Sequence, residues 1–177
     1  HAIVGSEALF QTTKIISGED RSDPKPYYEK AQTELVAASE QISKVNAKLK
    51  DENFLLLSPN SYNSMGLGTT QLYNKTVVYN HKRHGLFKLG NRNFEFRMKP
   101  RFPKKVDKEF LLVDLLNNLD SLAEDKDAIL VNTEQQLDKF EVSKLLKTVS
   151  AYGAARTKKR ISSWLLQSKR VSANAFA

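Results

Sequence analysis

The sequence predicts an α+β fold in which a small antiparallel sheet packs with a long N-terminal helix and a C-terminal group of about three helices. Three observations predict it: a regular apolar seam over residues 28–49, alternating apolar and polar positions between residues 76 and 98, and leucine-rich helical spacing from residue 110 onward. Hydrophobic residues make up 40% and charged residues 27% of the 177-residue chain, a globular composition. A chain of this length can bury a core without disulfides, and this one has no cysteine.

A long helix is predicted over residues 25–52. Its apolar or small positions recur in alternating steps of three and four, which places them in a narrow seam along one side of a helix. The seam consists of Tyr28, Ala31, Leu35, Ala38, Ile42, Val45 and Leu49. Such a seam can form a coiled-coil contact, but three heptads within a globular chain are expected to pack on the chain's own sheet.

The sheet region is predicted over residues 54–103. Its three clearest strands are Thr76–Tyr79, Gly85–Leu89 and Asn93–Met98. Gly90-Asn91 is a suitable hairpin turn between the second and third of these, so we expect an antiparallel meander. Strict alternation in the third strand directs Phe94, Phe96 and Met98 into the core and Glu95, Arg97 and Lys99 to the other face.

The helical region is predicted over residues 107–170 and completes a single domain spanning residues 25–170. Its three helices are marked by apolar positions at Phe110, Leu111, Val113, Leu115, Leu116, Leu119 and Leu122, then at Leu137, Phe140, Leu145, Leu146 and Val149, and finally at Ile161, Trp164 and Leu165. We expect residues 1–24 to be a partly ordered extension and residues 171–177 to be a frayed tail.

Charge is distributed in stripes along the chain. Residues 75–105 contain 10 basic and 1 acidic side chains, residues 106–143 contain 3 and 10, and residues 144–177 contain 8 and none. Two basic segments favour a polyanion or an acidic protein as the partner, because clustered lysine and arginine attract phosphates and carboxylates. The alternative is that each stripe is a solvated face, with the acidic segment neutralising a basic one.

The candidate nucleic-acid-binding residues come from these two basic segments. They are Lys82, Arg83, Lys88, Arg92, Arg97, Lys99, Arg101, Lys104 and Lys105 from the first, and Arg156, Lys158, Lys159 and Arg160, near the start of the last predicted helix, from the second. Aromatic side chains alternate with the first set, as in proteins that stack single-stranded bases. Because strand alternation sends Phe94 and Phe96 into the core, contact with phosphates is a better prediction than stacking of bases. We expect the basic side chains of residues 75–105 to share one exposed face of the sheet.

No other pattern in the sequence favours catalysis, a metal or a cofactor. His81 and His84 lie three residues apart, but Lys82 and Arg83 lie between them, and neighbouring cations disfavour a divalent metal. The segment from Gly66 to Gln71 lacks the Gly-Lys-Ser/Thr ending of a phosphate-binding P-loop, and a strand follows it where a helix is needed. We therefore expect no catalytic residue, no metal and no cofactor, and a protein that works by binding.

One stretch of the chain resembles the C-terminal part of AbiEi-type antitoxins, which belong to abortive-infection type IV toxin-antitoxin systems. The stretch runs from Leu57 to Pro103, with a serine-led short helix over residues 58–65 that leads into a Gly-Leu-Gly-Thr-Thr-Gln turn over residues 66–71. Further matches are the strand at Thr76–Tyr79, the step Lys88-Leu89-Gly90 and the leucine-rich helix from Phe110 to Leu122. The family-motif residues of the turn are Ser58, Ser61, Gly66, Thr69, Thr70 and Gln71.

The resemblance implies a non-catalytic regulator that counteracts a nucleotidyltransferase-type toxin and contacts DNA or RNA through basic residues. The family commonly begins with a winged helix-turn-helix that binds the operator, but residues 1–50 of this sequence show one long seam helix in place of three short ones. DNA binding through a winged helix is therefore not carried over to this chain. Gly68 also interrupts the family's Leu-Thr-Thr-Gln run.

We also expect a soluble, cytoplasmic protein without a membrane segment. Two alternatives to the antitoxin-like function are kept open. The first is a protein-interaction module that docks an acidic partner, and the second is a nucleotide-binding enzyme.

Overall fold

The structure is a computed structural model that describes residues 25–58, 60–69, 75–122 and 125–175. The extension predicted for residues 1–24 lies outside the described residues. The chain divides into two compact units. The sheet unit comprises described residues up to Leu57 and from Lys75 to Pro100, and the helical unit comprises those from Ser58 to residue 69 and from Arg101 onward. That residues 25–170 form one domain stays a prediction.

The sheet unit contains one long helix and four strands. In chain order these are α1 (Lys25–Leu49), β1 (Phe54–Leu57), β2 (Lys75–Asn80), β3 (Gly85–Leu89) and β4 (Arg92–Met98). The long helix and the three predicted strands are therefore present, with bounds within one to three residues of those expected. The short apolar run at residues 54–57 adds a fourth strand. The α+β prediction is confirmed.

The sheet is mixed, with the strand order β1-β2-β4-β3. β1 pairs with β2 and β3 pairs with β4 in antiparallel fashion, whereas β2 and β4 are parallel. The expected antiparallel meander is thus wrong at one place. The chain leaves β2, crosses the width of one strand to form β3, and returns through the hairpin turn so that β4 enters between them. Turn residues predict the hairpin between β3 and β4, but they do not predict that β4 also pairs with β2, an earlier strand in the chain.

Asn80, the last residue of β2, holds the crossover between β2 and β3 in place. Its side-chain oxygen accepts hydrogen bonds from the backbone N–H groups of Lys82 (2.8 Å) and Arg83 (2.6 Å). Its side-chain nitrogen donates to the carbonyl oxygens of Val78 (3.2 Å) and Arg83 (3.0 Å). Asn80 is 1% exposed, so these bonds satisfy backbone groups that the turning chain would otherwise leave unpaired.

α1 packs on one face of the sheet through the C-terminal half of its seam. Val45 and Leu49 form one buried cluster with Val78, Phe94 and Phe96. The predicted packing of the seam on the chain's own sheet is confirmed there. Toward the N-terminus the seam is less covered, because Tyr28 is 54% and Leu35 39% exposed.

One predicted core residue of the sheet unit is not in the core. Phe94 and Phe96 are fully buried, as strand alternation predicts, but Met98 is 56% exposed. Met98 is the last residue of β4. Alternation gives the direction of a side chain, whereas burial also requires another element to cover that end of the strand.

The helical unit contains five helices and two short 3-10 turns in the described residues. They are a 3-10 turn (Asn63–Met65), α2 (Lys108–Asn117), α3 (Leu119–Leu122), α4 (Lys126–Gln135), a 3-10 turn (Leu137–Lys139), α5 (Val142–Tyr152) and α6 (Ala155–Ala175). The sequence predicts about three helices here. It misses α4, whose mixed polar composition gives no apolar seam, and α6 continues to Ala175 over residues expected to fray.

α2 is the centre of the helical unit and packs on α5 and α6. Eight consecutive residues, Glu109 to Leu116, are buried, so α2 has no solvent face over most of its length. Asp107 caps its start by accepting a hydrogen bond from the N–H of Phe110 (2.7 Å). The predicted apolar positions on α2 are confirmed as core, but Leu146 on α5 is 46% exposed.

A buried carboxylate joins α2 to α5. Glu109 is 1% exposed, and the Nζ atom of Lys144 lies 3.2 Å from its Oε2 and 3.3 Å from Oδ2 of Asp107. Among the described residues neither Glu109 oxygen has an aligned hydrogen-bond donor, so the contact is mainly ionic, and Lys108 Nζ lies 4.0 Å from Oε1 as a second, more distant cation. The Glu109 carboxylate, and secondarily Asp107, raises the pKa of Lys144. Lys144 therefore keeps the charge of Glu109 compensated away from water.

We expect Lys144→Met to lower the free energy of unfolding by roughly 1–3 kcal/mol, because the buried Glu109 carboxylate loses its nearer cation and keeps only Lys108, whose Nζ lies 4.0 Å from Oε1. Since the pKa of Lys144 is raised in the folded state, this contribution is fully present below the ordinary lysine pKa of about 10.4 and is lost as pH rises through the raised value. Urea unfolding of the parent, Lys144→Met, Glu109→Gln and the double variant measures the coupling. Additive single effects below pH 9 would contradict it.

We expect Asn80→Ala to cost roughly 1–3 kcal/mol, because the backbone groups of the crossover lose their buried partner. Asn93→Ala is the matched control: Asn93 is an exposed strand residue, and its change should stay within about 0.5 kcal/mol. Thermal unfolding of both variants tests this. Equal losses would mean that the Asn80 side chain does not stabilise the crossover.

Candidate nucleic-acid interface

Two candidate cations, Lys82 and Arg83, lie on the crossover loop that Asn80 organises. Both are exposed. Lys82 Nζ lies 3.4 Å from a carboxylate oxygen of Asp51 and donates to the carbonyl oxygen of Lys50 (3.2 Å). The backbone N–H of Asn53, followed by the Lys82 ammonium, lowers the pKa of Asp51. The charge of Lys82 is therefore partly compensated, and Arg83 is the more available of the two.

The candidate cations on the strands do not share one face of the sheet. Lys88 pairs in register with Asn93, on the face that Glu95 and Arg97 also occupy, whereas Arg92 lies on the α1 face together with Phe94. The expectation that the basic residues of 75–105 share one exposed face is therefore wrong. Strand alternation separates Arg92 from the others.

Two of the strand-region cations are engaged with neighbours and only partly exposed. Arg97 Nε donates to a carboxylate oxygen of Glu95 at 3.0 Å, and the Arg97 side chain is 22% exposed. Lys99 Nζ lies 5.4 Å from the centroid of the Tyr79 ring. Burial and a partner reduce what either side chain can offer to a phosphate, so Lys88 and Arg92 are the better exposed pair of this region.

In the helical unit, the candidate cations lie on two segments. Arg101, Lys104 and Lys105 are exposed on the irregular segment that precedes α2. Arg156, Lys158, Lys159 and Arg160 lie in the first two turns of α6. The sequence prediction that basic residues begin the last helix is thus confirmed for their position in the fold.

The start of α6 has a fixed inner and outer side. Thr157, Ile161 and Trp164 are buried and mark the inner side. Lys158 and Lys159 are exposed, and helical spacing places Ser162 and Lys169 on the same outward strip. Arg160 lies beside the inner strip, with its guanidinium carbon 5.9 Å from the centroid of the Trp164 ring.

The four candidate cations of α6 differ in how far their charge is compensated. Arg156 donates to a carboxylate oxygen of Asp120 at 3.0 Å, and Lys126 lies 2.8 Å from the other oxygen of that carboxylate. Lys126, followed by Arg156, lowers the pKa of Asp120. Lys158 and Lys159 have no acidic partner among the described residues.

The charges on α6 are unfavourable for the helix itself. The N-terminus of a helix carries a partial positive charge, so cations near it destabilise the helix and acidic residues stabilise it. The first turn of α6 contains no acidic residue, while Lys158 and Lys159 follow within the next residues. A solvated helix face gives no reason for this arrangement, whereas an anionic partner does.

The described part of the family-motif turn is held within the helical unit by several hydrogen bonds. Tyr62 donates to the buried carboxylate of Asp114 on α2, and Asn132 of α4 donates to the carbonyl oxygen of Leu67 (3.2 Å). The remaining bonds are Ser58 with Ser61 (2.9 Å), Thr69 to Asn63 (3.0 Å) and Gln136 to the carbonyl oxygen of Gly66 (3.4 Å). Thr70 and Gln71 lie outside the described residues.

Gly68 fits this turn for two reasons. Its φ is +89°, a backbone conformation that residues with a side chain rarely adopt. A Cβ added there would lie 3.2 Å from the side-chain nitrogen Nδ2 of Asn132. The residue that interrupts the family's usual run is therefore suited to the contact between the turn and α4. The turn's contacts are those of a structural element.

The part of the chain that the structure describes contains neither a metal-binding cluster nor a membrane-spanning helix. Within those ranges no three histidine, cysteine or acidic side chains are grouped so that they could hold a metal ion. His81 and His84 are exposed. No helix among the described residues combines the length and apolarity needed to cross a membrane.

Comparison with known proteins found no matching family model, no matching curated protein and no matching solved structure. The site therefore has to be argued from the chain's own residues. Sequence patterns found the cations but missed Asn80, which positions two of them. The sequence signal that could have found it is an asparagine at the end of a predicted strand, directly before a basic loop.

We expect Tyr62→Phe to lower the free energy of unfolding by roughly 1–3 kcal/mol, because the buried Asp114 carboxylate loses a hydrogen-bond donor. Tyr152→Phe makes the same chemical change on α5, where the hydroxyl has no hydrogen-bond partner among the described residues, and should cost less than about 0.5 kcal/mol. Urea unfolding compares the two. Equal effects would mean that Tyr62 does not anchor the turn.

Proposed function

We propose that this chain is a non-catalytic, antitoxin-like regulatory binding protein that contacts nucleic acid through exposed basic side chains. The observation that carries the proposal is the start of α6. Exposed lysines without acidic partners among the described residues occupy the end of a helix whose dipole already attracts anions. No acidic residue follows Glu141 in the sequence, so nothing within the last segment neutralises these charges.

Phosphate contact is a better reading of this surface than recognition of bases. The outward lysines Lys158, Lys159 and Lys169 carry ammonium groups at the ends of flexible side chains. Such groups attract phosphates but do not select a base sequence. The outward strip also contains Ser162 and Ser163, whose hydroxyl groups suit hydrogen bonds to phosphate oxygens. We therefore expect an affinity that depends steeply on salt and weakly on sequence.

The antitoxin part of the proposal comes from the resemblance of residues 57–103 to AbiEi-type antitoxins. It adds a nucleotidyltransferase-type toxin as the protein partner. The turn over residues 58–69 supports it only in being a structural element anchored on α2 and α4, as a non-catalytic motif would be.

A second candidate function is a protein-interaction module that docks an acidic partner. The observation that favours it is the exposed apolar surface of α1, where Tyr28, Leu35 and Val36 are 54%, 39% and 60% exposed. Apolar contacts keep their strength in salt, whereas phosphate contacts do not. A partner retained at high salt would therefore favour this second function.

We expect Lys158→Gln combined with Lys159→Gln to weaken binding to a duplex DNA fragment and to flatten the plot of log affinity against log salt by about 2, since each phosphate contact contributes about 0.9 to the slope. Lys126→Gln combined with Lys139→Gln is the control. It makes the same change in net charge, but Lys126 pairs with Asp120 and Lys139 with Gln136.

Fluorescence anisotropy titrations between about 50 and 200 mM salt measure both slopes, with single-stranded RNA as a second probe. If the parent does not bind at low salt, or if the two double variants behave alike, the basic surface of α6 does not contact nucleic acid.

A further inference from the structure

A small cavity in the sheet unit lies between α1 and the turn of the β3–β4 hairpin. Its volume is about 250 Å³. Its polar wall comes from Glu40, Gln41 and Lys44 on α1 and from Asn91 and Arg92 at the hairpin. The buried ring of Phe94 and the side chain of Ala37 form the apolar part. The volume is slightly below the usual range for small-molecule sites, about 300–1,000 Å³, and therefore fits a compact ligand.

The polar groups of this cavity have no hydrogen-bond or ion-pair partner among the described residues. This holds for both cations, Lys44 and Arg92, as well as for the Glu40 carboxylate and the side-chain amides of Gln41 and Asn91. Five unpaired polar side chains around one cavity are a set of donors and acceptors available to a ligand. Two cations that line one cavity, one from a helix and one from a strand, suit an anionic ligand.

The backbone at the hairpin turn is shaped so that Lys44 can reach the cavity. Gly90 has a φ of +63° and is the first residue of the two-residue turn, where glycine is preferred. An added Cβ at Gly90 would lie only 2.6 Å from Nζ of Lys44. Any other residue at position 90 would therefore displace the ammonium group from its place beside the turn.

The Glu40 carboxylate restricts what the anion can be. A bare inorganic anion would be repelled by it, whereas a ligand with both an anionic group and hydroxyl groups can satisfy the cations and the carboxylate together. A sugar phosphate has this combination: the phosphate suits Lys44 and Arg92, and a sugar hydroxyl can donate to Glu40. The amides of Gln41 and Asn91 can donate to and accept from the remaining hydroxyl groups.

We propose that this cavity binds a sugar phosphate, either free or as the terminal nucleotide of a nucleic acid. The site involves none of the residues of the basic surface of α6. Loss of one site would therefore leave the other in place, and the two proposals can fail independently.

The test uses the full chain labelled with ¹⁵N and follows the amide signals of Gly90 and Asn91 during titration with ribose 5-phosphate. We expect saturable shifts with a dissociation constant of about 1 mM, the range for a ligand of this size. Inorganic phosphate should bind at least tenfold more weakly, and ribose should not bind. A 5′-phosphorylated oligoribonucleotide and its 5′-hydroxyl counterpart tell whether the sugar phosphate can be a strand end.

The variants separate the groups of the site. Lys44→Gln and Arg92→Gln should each weaken ribose 5-phosphate binding at least tenfold. Lys48→Gln, one turn further along α1, and Lys88→Gln, on the opposite face of the same hairpin, make the same charge change outside the cavity and should bind as the parent does. Glu40→Gln should weaken ribose 5-phosphate but should not weaken inorganic phosphate.

Three results would overturn the proposal. The first is an absence of shifts at Gly90 and Asn91 up to about 10 mM ribose 5-phosphate, which is an order of magnitude above the expected dissociation constant. The second is equal affinity for inorganic phosphate and ribose 5-phosphate. The third is unchanged binding in both Lys44→Gln and Arg92→Gln. The mutated side chains at 40, 44 and 92 are exposed, so each variant should retain the parent's thermal unfolding midpoint.

Discussion

The side chain of Asn80 satisfies the constraint on which the sheet unit depends. A strand that is inserted between two earlier strands requires the chain to cross its width in a few residues, and each backbone group turned away from the sheet then needs a partner. Asn80 supplies these partners for Lys82 and Arg83 while buried at the end of β2. β4 can then lie parallel to β2, with Phe94 and Phe96 beneath α1. The same arrangement places Arg92 on the α1 face, beside Lys44.

In the helical unit one helix, α2, is buried over most of its length, and the neighbouring elements pack around it. Because α2 has no solvent face, its acidic side chains must find partners inside the unit. Asp114 accepts a hydrogen bond from Tyr62, which anchors the turn over residues 58–69, and Glu109 is compensated by Lys144 of α5. Burying α2 therefore fixes the neighbouring elements through polar contacts as well as through apolar packing.

The two proposed binding surfaces differ in the physics of recognition. At the start of α6, exposed and unpaired charge attracts an extended polyanion without enclosing it, which gives salt-dependent and weakly selective contact. Between α1 and the β3–β4 turn, two cations, a carboxylate and two amides line a partly open cavity, which selects a ligand by its combination of groups. A regulatory protein can use the first kind of surface for association and the second for discrimination.

The sequence by itself determined the α+β class, the long helix, the three main strands, the burial of Phe94 and Phe96 on β4 and the burial of the apolar positions of α2, because these follow from periodicity along one element. It also determined which segments are basic. Only the tertiary structure decided that β4 joins β2 in parallel and that Arg92 lies with Lys44 and Glu40. Periodicity gives the direction of a side chain within its own element. Which groups it meets depends on contacts between residues far apart in the chain, and those contacts leave no local pattern.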